Sequence, residues 1–129
     1  MGKLFLQALQ ACQRLAFSHA YFHRHLHELR QQGVEHILLD PGLGFGKTVE
    51  ANYRVLKDLP LLQDLEAPLY IGLSRKSMLW KHLDRSPDTV LPATSALHLY
   101  ALERGAQILR VHDAQEAADV VKLWETLNS

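Results

Sequence analysis

The feature that most constrains this chain is an alternation repeated three times: a short aliphatic run, a polar turn, then a stretch with helical spacing. The first run is His36-Ile37-Leu38-Leu39-Asp40, halted by Pro41-Gly42; the second covers residues 68–73 and the third residues 107–111. Runs this short, bounded by Gly, Pro and charged residues, read as buried strands. Helical spacing is predicted over residues 4–32, where Leu4, Leu9, Cys12, Leu15, Ala16, Phe22, Leu26 and Leu29 recur in a three- and four-residue pattern, with Gly33 as the stop. Further helices are predicted over 50–65, where Pro60 should break or kink the run, and over 74–83. A turn at Ser86-Pro87-Asp88 leads into a helix over 88–104, where Pro92 is tolerable only in the first turn, and Gly105 stops it. Residues 114–127 close the chain with an amphipathic helix. Such alternation demands parallel strands joined by helical crossovers. Strands apolar on both faces imply a sheet covered on both sides.

Three strands are few for a closed sheet. A (β/α)₈ barrel uses eight strands and about 250 residues, whereas this chain has 129. The predicted fold is therefore α/β, about three strand–helix units of a larger architecture, with the outer strands as raw edges. No low-complexity segment or linker divides it, so residues 1–129 read as one partial domain: residues 1–33 as a leading helix, 34–129 as the strand–helix units.

Composition narrows the partners. Lys plus Arg equals Asp plus Glu at 14 each, so no net field draws the chain to nucleic acid or an anionic membrane. No apolar run approaches the roughly 20 residues needed to span a bilayer. The single cysteine, Cys12, precludes an internal disulfide. With no secretion signal evident at the start, the expected location is cytoplasmic.

A polar cluster follows each strand: Asp40-Pro41-Gly42, then Ser74-Arg75-Lys76-Ser77, then Arg110-Val111-His112-Asp113. In parallel α/β folds, loops at the C-terminal strand ends converge on one face, where ligands bind. Lys76, Arg110 and His112 are donors suited to an anion, and Arg can grip phosphate oxygens in a fork. Asp40 can accept from the NH groups of a heterocycle. Gly42, Gly44 and Gly46 allow a ligand close to the backbone. Together these suit a nitrogen heterocycle carrying phosphate. Gly46-Lys47-Thr48 is not a P-loop ending, since Pro41 stands where that motif needs Gly. The glycine spacing also misses the dinucleotide fingerprint by one residue.

These segments resemble a known family. Residues 40–47, DPGLGFGK, are similar to the DPGxGFGK loop of dihydropteroate synthases; residues 72–77, GLSRKS, resemble their GxSRKS segment, and residues 110–113 their RVHD segment. All three occur in family order, over nearly the whole chain. The resemblance implies the C-terminal portion of a (β/α)₈ TIM barrel, residues 1–33 being the helix before the sixth strand. It implies displacement of pyrophosphate from 6-hydroxymethyl-7,8-dihydropterin pyrophosphate by the amine of p-aminobenzoate. Asp40 and Lys76 would hold the pterin. Arg110 would pack along that ring and, with His112, meet the pyrophosphate, so Lys76, Arg110 and His112 form the expected catalytic set. Ser77 and Phe45 would help bind p-aminobenzoate. The complete enzyme would use Mg2+, with its ligand outside this chain, and would form a homodimer. Residues 90–94 match the family pattern only loosely, and the family's first five strands are missing, so the chain is expected to be inactive alone.

The same residues also have plainer uses. Arg75 reads as a solvated helix start, and Asp113 as a cap for the last helix. His19, His23 and His27 share a helix face, but no carboxylate or cysteine is evidently placed to complete a zinc site. Met78 and Trp80 read as core or interface residues; Leu97, Val120 and Trp124 are core positions or dimer-interface candidates. The competing functions are a pterin-dependent methyltransferase on the same barrel, or a stand-alone half-barrel that binds a pterin or pairs with another chain without catalysis.

Overall fold

A computed structural model describes residues 7–10, 15–44 and 46–129 of the chain. The elements run β1 (Gln7–Gln10), α1 (Leu15–Gln31), β2 (Ile37–Asp40), α2 (Val49–Asp58), β3 (Leu69–Gly72), α3 (Ser77–Trp80), α4 (Leu91–Glu103), β4 (Ala106–Arg110) and α5 (Ala114–Leu127), with 3-10 turns at Leu59–Leu65 and Pro87–Thr89. All four strands are parallel, in the order β1-β2-β3-β4. Spatial order that follows chain order is the pattern of a barrel wall, since a doubly wound sheet reverses at a switch point.

The leading segment corrects the sequence reading. Residues 4–32 were expected to be one helix, and residues 1–33 a helical lead-in. Instead Gln7–Gln10 pairs in parallel with Ile37–Asp40, in register Gln7↔Ile37 through Gln10↔Asp40, and the helix begins at Leu15. A Gln-Ala-Leu-Gln strand carries no β-branched residue, so what makes it a strand is its pairing with β2. The described residues thus hold four strands where the sequence predicts three.

Elsewhere the local signals are obeyed. Gly33 takes φ +83°, and Val34 N–H reaches back to the Leu29 carbonyl at 3.0 Å, closing α1 as a left-handed cap. Thr48 caps α2, its hydroxyl accepting from Ala51 N–H at 3.1 Å. At Pro60 the helix tightens into the 3-10 segment Leu59–Leu65, which ends at Glu66 with φ +55°. Pro92 sits in the first turn of α4, and Gly105 follows its end at φ +100°. Two helices are shorter than predicted. α3 spans only Ser77–Trp80, and Asp88 belongs to the separate turn before α4.

The core lies between the sheet and its helices. Leu39, Leu69 and Ile71 of the strands pack with Phe22 and Leu26 of α1, with Leu56, Leu59 and Leu62 around the α2 end, and with Met78 and Leu79 of α3. Each fully buried side chain of this kind contributes about 1.5–3 kcal/mol of transfer free energy. Met78 is fully buried, and Trp80 packs partly against the core. β4 is less covered than β2 or β3, with Gln107 and Arg110 exposed. Beside it a groove of about 530 Å³ runs against α5, lined by Leu109, Val111, Ala117, Val121 and Trp124 among others. Among the described residues, no helix is long and apolar enough to cross a membrane.

Candidate functional site

The C-terminal ends of β2, β3 and β4 carry Asp40, Gly72 and Arg110. Gly72 and Arg110 are partners in the β3–β4 register. Because Gly72 has no side chain, the space beside it is open to both neighbours: a β-carbon there would stand 3.7 Å from Arg110 Cβ and 3.8 Å from Lys76 Nζ.

The loop after β2 is tied down by its own polar groups. Asp40 Oδ1 accepts from Gly42 N–H at 2.8 Å, an Asx turn, while Gly42 takes φ +72°. Lys47 Nζ donates to the Gly42 carbonyl at 2.8 Å. Asn52, only 1% exposed, accepts from Gly44 N–H at 2.8 Å and donates to the Thr48 carbonyl at 3.0 Å. Sequence reading missed this residue. Its signal was a polar side chain on the buried stripe of α2, beside Val55 and Leu56.

Lys76 crosses this loop. Its Nζ donates to the Leu43 carbonyl, and a β-carbon on Gly44, where φ is +91°, would meet its Cδ at 3.3 Å. The lysine stem therefore passes Gly44, and its Nζ lies beside Gly72. Burial lowers its proton affinity, and the charges of Arg110 and Lys47 lower it further, against the opposing pull of Asp40. Asp40, Lys76 and Arg110 thus share one electrostatic neighbourhood.

Ser77 opens α3 directly after Lys76. His112 is exposed, its backbone N–H donating to Ser74 Oγ at 3.3 Å. Phe45, like Cys12, lies outside the described residues.

Two expectations are overturned. Arg75 is no solvated helix start: its Nε and Nη2 grip both Asp113 oxygens at 2.9 and 2.8 Å. Asp113 precedes α5 without capping it by a side-chain hydrogen bond. Its carboxyl is held below the usual range, chiefly by the bond from Arg75. On α1, His19 Nε2 does meet a carboxylate, Asp64, at 2.9 Å. Even so, no His, Cys, Asp or Glu group able to hold a metal occurs among the described residues. The strand-end site has Asp40 amid Lys47, Lys76 and Arg110, a donor set unsuited to Mg2+.

The strand-end arrangement can be compared with known proteins. A family profile described as pterin binding enzyme matches residues 6–112. The chain belongs to that family. Among its relatives, the dihydropteroate synthase of Haemophilus influenzae is 37% identical over 108 residues, covering 82% of this chain and 39% of that protein. The Synechocystis dihydropteroate synthase is 44% identical over 101 residues, covering 76% of this chain and 35% of its own length. Among solved structures, Yersinia pestis dihydropteroate synthase with a pterine-sulfa conjugate superposes with TM-score 0.86 and 34% identity, over 94% of this chain and 51% of that one. The Thermus thermophilus enzyme in complex with 4-aminobenzoate gives TM-score 0.83 and 32% identity, over 92% and 50%. The chain spans about half the length of these solved relatives. Its fold is the C-terminal portion of a (β/α)₈ barrel.

Proposed function

We propose that this chain supplies the pterin and pyrophosphate side of a dihydropteroate synthase active site, completed by the remaining strands of the barrel. The observation that carries the reading is the meeting of Lys76 and Arg110 beside Gly72, with Asp40 at the neighbouring strand end close enough to act on the Lys76 charge, where barrel enzymes bind substrate. The chemistry is a displacement at the pterin methylene carbon. The carbon–oxygen bond to pyrophosphate breaks with its electron pair leaving on oxygen, the amine nitrogen of p-aminobenzoate forms the new bond, and that nitrogen gives up a proton.

Asp40 accepts hydrogen bonds from the pterin NH groups, and Lys76 donates to the ring's acceptors. Arg110 and His112 donate to the departing pyrophosphate, stabilising charge where it develops. Phe45 and Ser77 belong to the p-aminobenzoate side. The described residues offer Mg2+ no cage, so no step here runs through it. Among the described residues β1 and β4 each pair on one side only, and this, with the groove beside β4, supports completion by further strands. The same features equally favour a second reading, a half-barrel pairing with another chain without catalysis. The assembled enzyme is read as a cytoplasmic homodimer, with Leu97, Val120 and Trp124 as interface candidates.

Pyrophosphate release from the dihydropterin substrate with p-aminobenzoate, by this chain with and without the barrel's other strands, separates the readings. Turnover should appear on completion, and Lys76→Ala should lower it by about tenfold or more. Near-normal turnover in Lys76→Ala would remove the role given to Lys76. No turnover in any assembled form would leave the pairing reading.

A further inference from the structure

The loops after β3 and β4 carry the anion-facing groups, and one ion pair bridges them. Arg75 is the residue between Ser74 and Lys76, and Asp113 follows His112. The guanidinium meets the carboxylate with two near-parallel bonds, 2.9 Å from Nε and 2.8 Å from Nη2. That fork fixes orientation as well as distance. Two further bonds run beside it: His112 N–H to Ser74 Oγ at 3.3 Å, and Arg75 N–H to Thr94 Oγ1 at 3.3 Å. Ser74 and Thr94 are buried, at 4% and 1% exposure. A third contact, Arg75 Nη1 to the Pro87 carbonyl at 3.4 Å, ties in the turn before α4. Arg75 itself takes φ +51°, a conformation that an ordinary residue adopts only when its surroundings hold it.

We infer that Arg75 and Asp113 are positioning residues, a clamp that sets Lys76 and His112 at the separation the pyrophosphate-bearing substrate requires. The inference rests on the reading of the strand ends as the pterin pyrophosphate site. Neither clamp residue has to touch the substrate. Arg75 spends its fork on Asp113, so the two act through the residues beside them in sequence. Shape alone is not the whole case, because the clamp and a through-space field predict opposite signs. If the pair acted only as fixed charges, removing the Arg75 cation would weaken anion binding and removing the Asp113 anion would strengthen it. A positioning clamp weakens binding in both cases.

The test titrates inorganic pyrophosphate into the 129-residue chain, alone and completed by the barrel's other strands, by calorimetry, for wild type, Arg75→Gln, Asp113→Asn and the double variant. Both single variants should bind about tenfold more weakly or worse, a loss of the size that sub-ångström misplacement produces. The double variant should be no worse than either single one, since each alone releases the same clamp. Tighter binding by Asp113→Asn, or losses that multiply in the double variant, would overturn the inference. NMR order parameters for residues 74–77 and 111–113 supply a readout independent of ligand. Arg75→Gln should loosen both segments together while the core strands stay rigid, and unchanged order in residues 111–113 would overturn the clamp. Wild-type chain that binds no pyrophosphate even when completed by the barrel's other strands would overturn the substrate reading, leaving the loop-order result to decide the clamp.

Discussion

Asn52→Ala tests how the glycine loop is held. The side chain makes two bonds, one from Gly44 N–H and one to the Thr48 carbonyl. Each contributes about 1 kcal/mol net. Gly44 and Thr48 are exposed, so water entering the vacated space can satisfy them again, and the full penalty of an orphaned buried group does not arise. The expected loss is therefore about 2 kcal/mol. For a slope of about 2 kcal/mol per molar urea, the unfolding midpoint should fall by about 1 M, followed by the fluorescence of Trp80 and Trp124. Asn52→Leu should fall further, because an apolar side chain would shield the Gly44 amide from water. A midpoint within about 0.2 M of wild type for Asn52→Ala would refute the reasoning, as would Asn52→Leu proving the more stable variant. The loop matters beyond stability: the Leu43 carbonyl that receives Lys76 stands in it, so a loosened loop frees the lysine's anchor.

Three further outcomes are expected. Asp40→Asn should weaken pterin binding more than p-aminobenzoate binding, and a competition titration showing equal losses would contradict the assignment. Gly105→Ala forces φ +100° on a residue with a β-carbon and crowds the Gln63 side chain; the strain of about 1–2 kcal/mol should lower the thermal midpoint by roughly 4–8 °C, and an unchanged midpoint in calorimetry would refute it. His98 is 2% exposed, with no partner for its Nε2 among the described residues, and burial lowers its proton affinity against a smaller opposing effect of Asp113. The unfolded chain then binds the extra proton first, so stability should decline as pH drops below the ordinary imidazole value of 6.5 and level off above it. His98→Leu should flatten that dependence in urea titrations at several pH values, and an undiminished slope would show another group responsible.

Much of the architecture was readable because its signals are local. Strands 37–40, 69–72 and 106–110 stand where aliphatic runs end in turns, and Pro60, Pro92 and Gly105 act as their backbone chemistry requires. β1 was not readable, since pairing with Ile37–Asp40 makes Gln7–Gln10 a strand and its own composition does not. At the site, residue types gave the donors and acceptors, but pairings across long sequence gaps stayed hidden. Arg75 meets Asp113 across 38 positions and His19 meets Asp64 across 45, distances at which no periodicity speaks. Asn52 was the exception, a polar interruption of an apolar stripe that could have been noticed.

The passage of Lys76 past Gly44 bears on how such a site can change over generations. Codon changes at Gly44 bring a β-carbon against the Lys76 stem in a backbone region few residues tolerate, whereas at Gly72 a β-carbon would only touch lysine and arginine at ordinary contact distance. Gradual remodelling by single substitutions therefore has little room at Gly44. Inherited variation that alters ligand preference should collect instead in neighbouring loops and in whatever strands face the edge of β4.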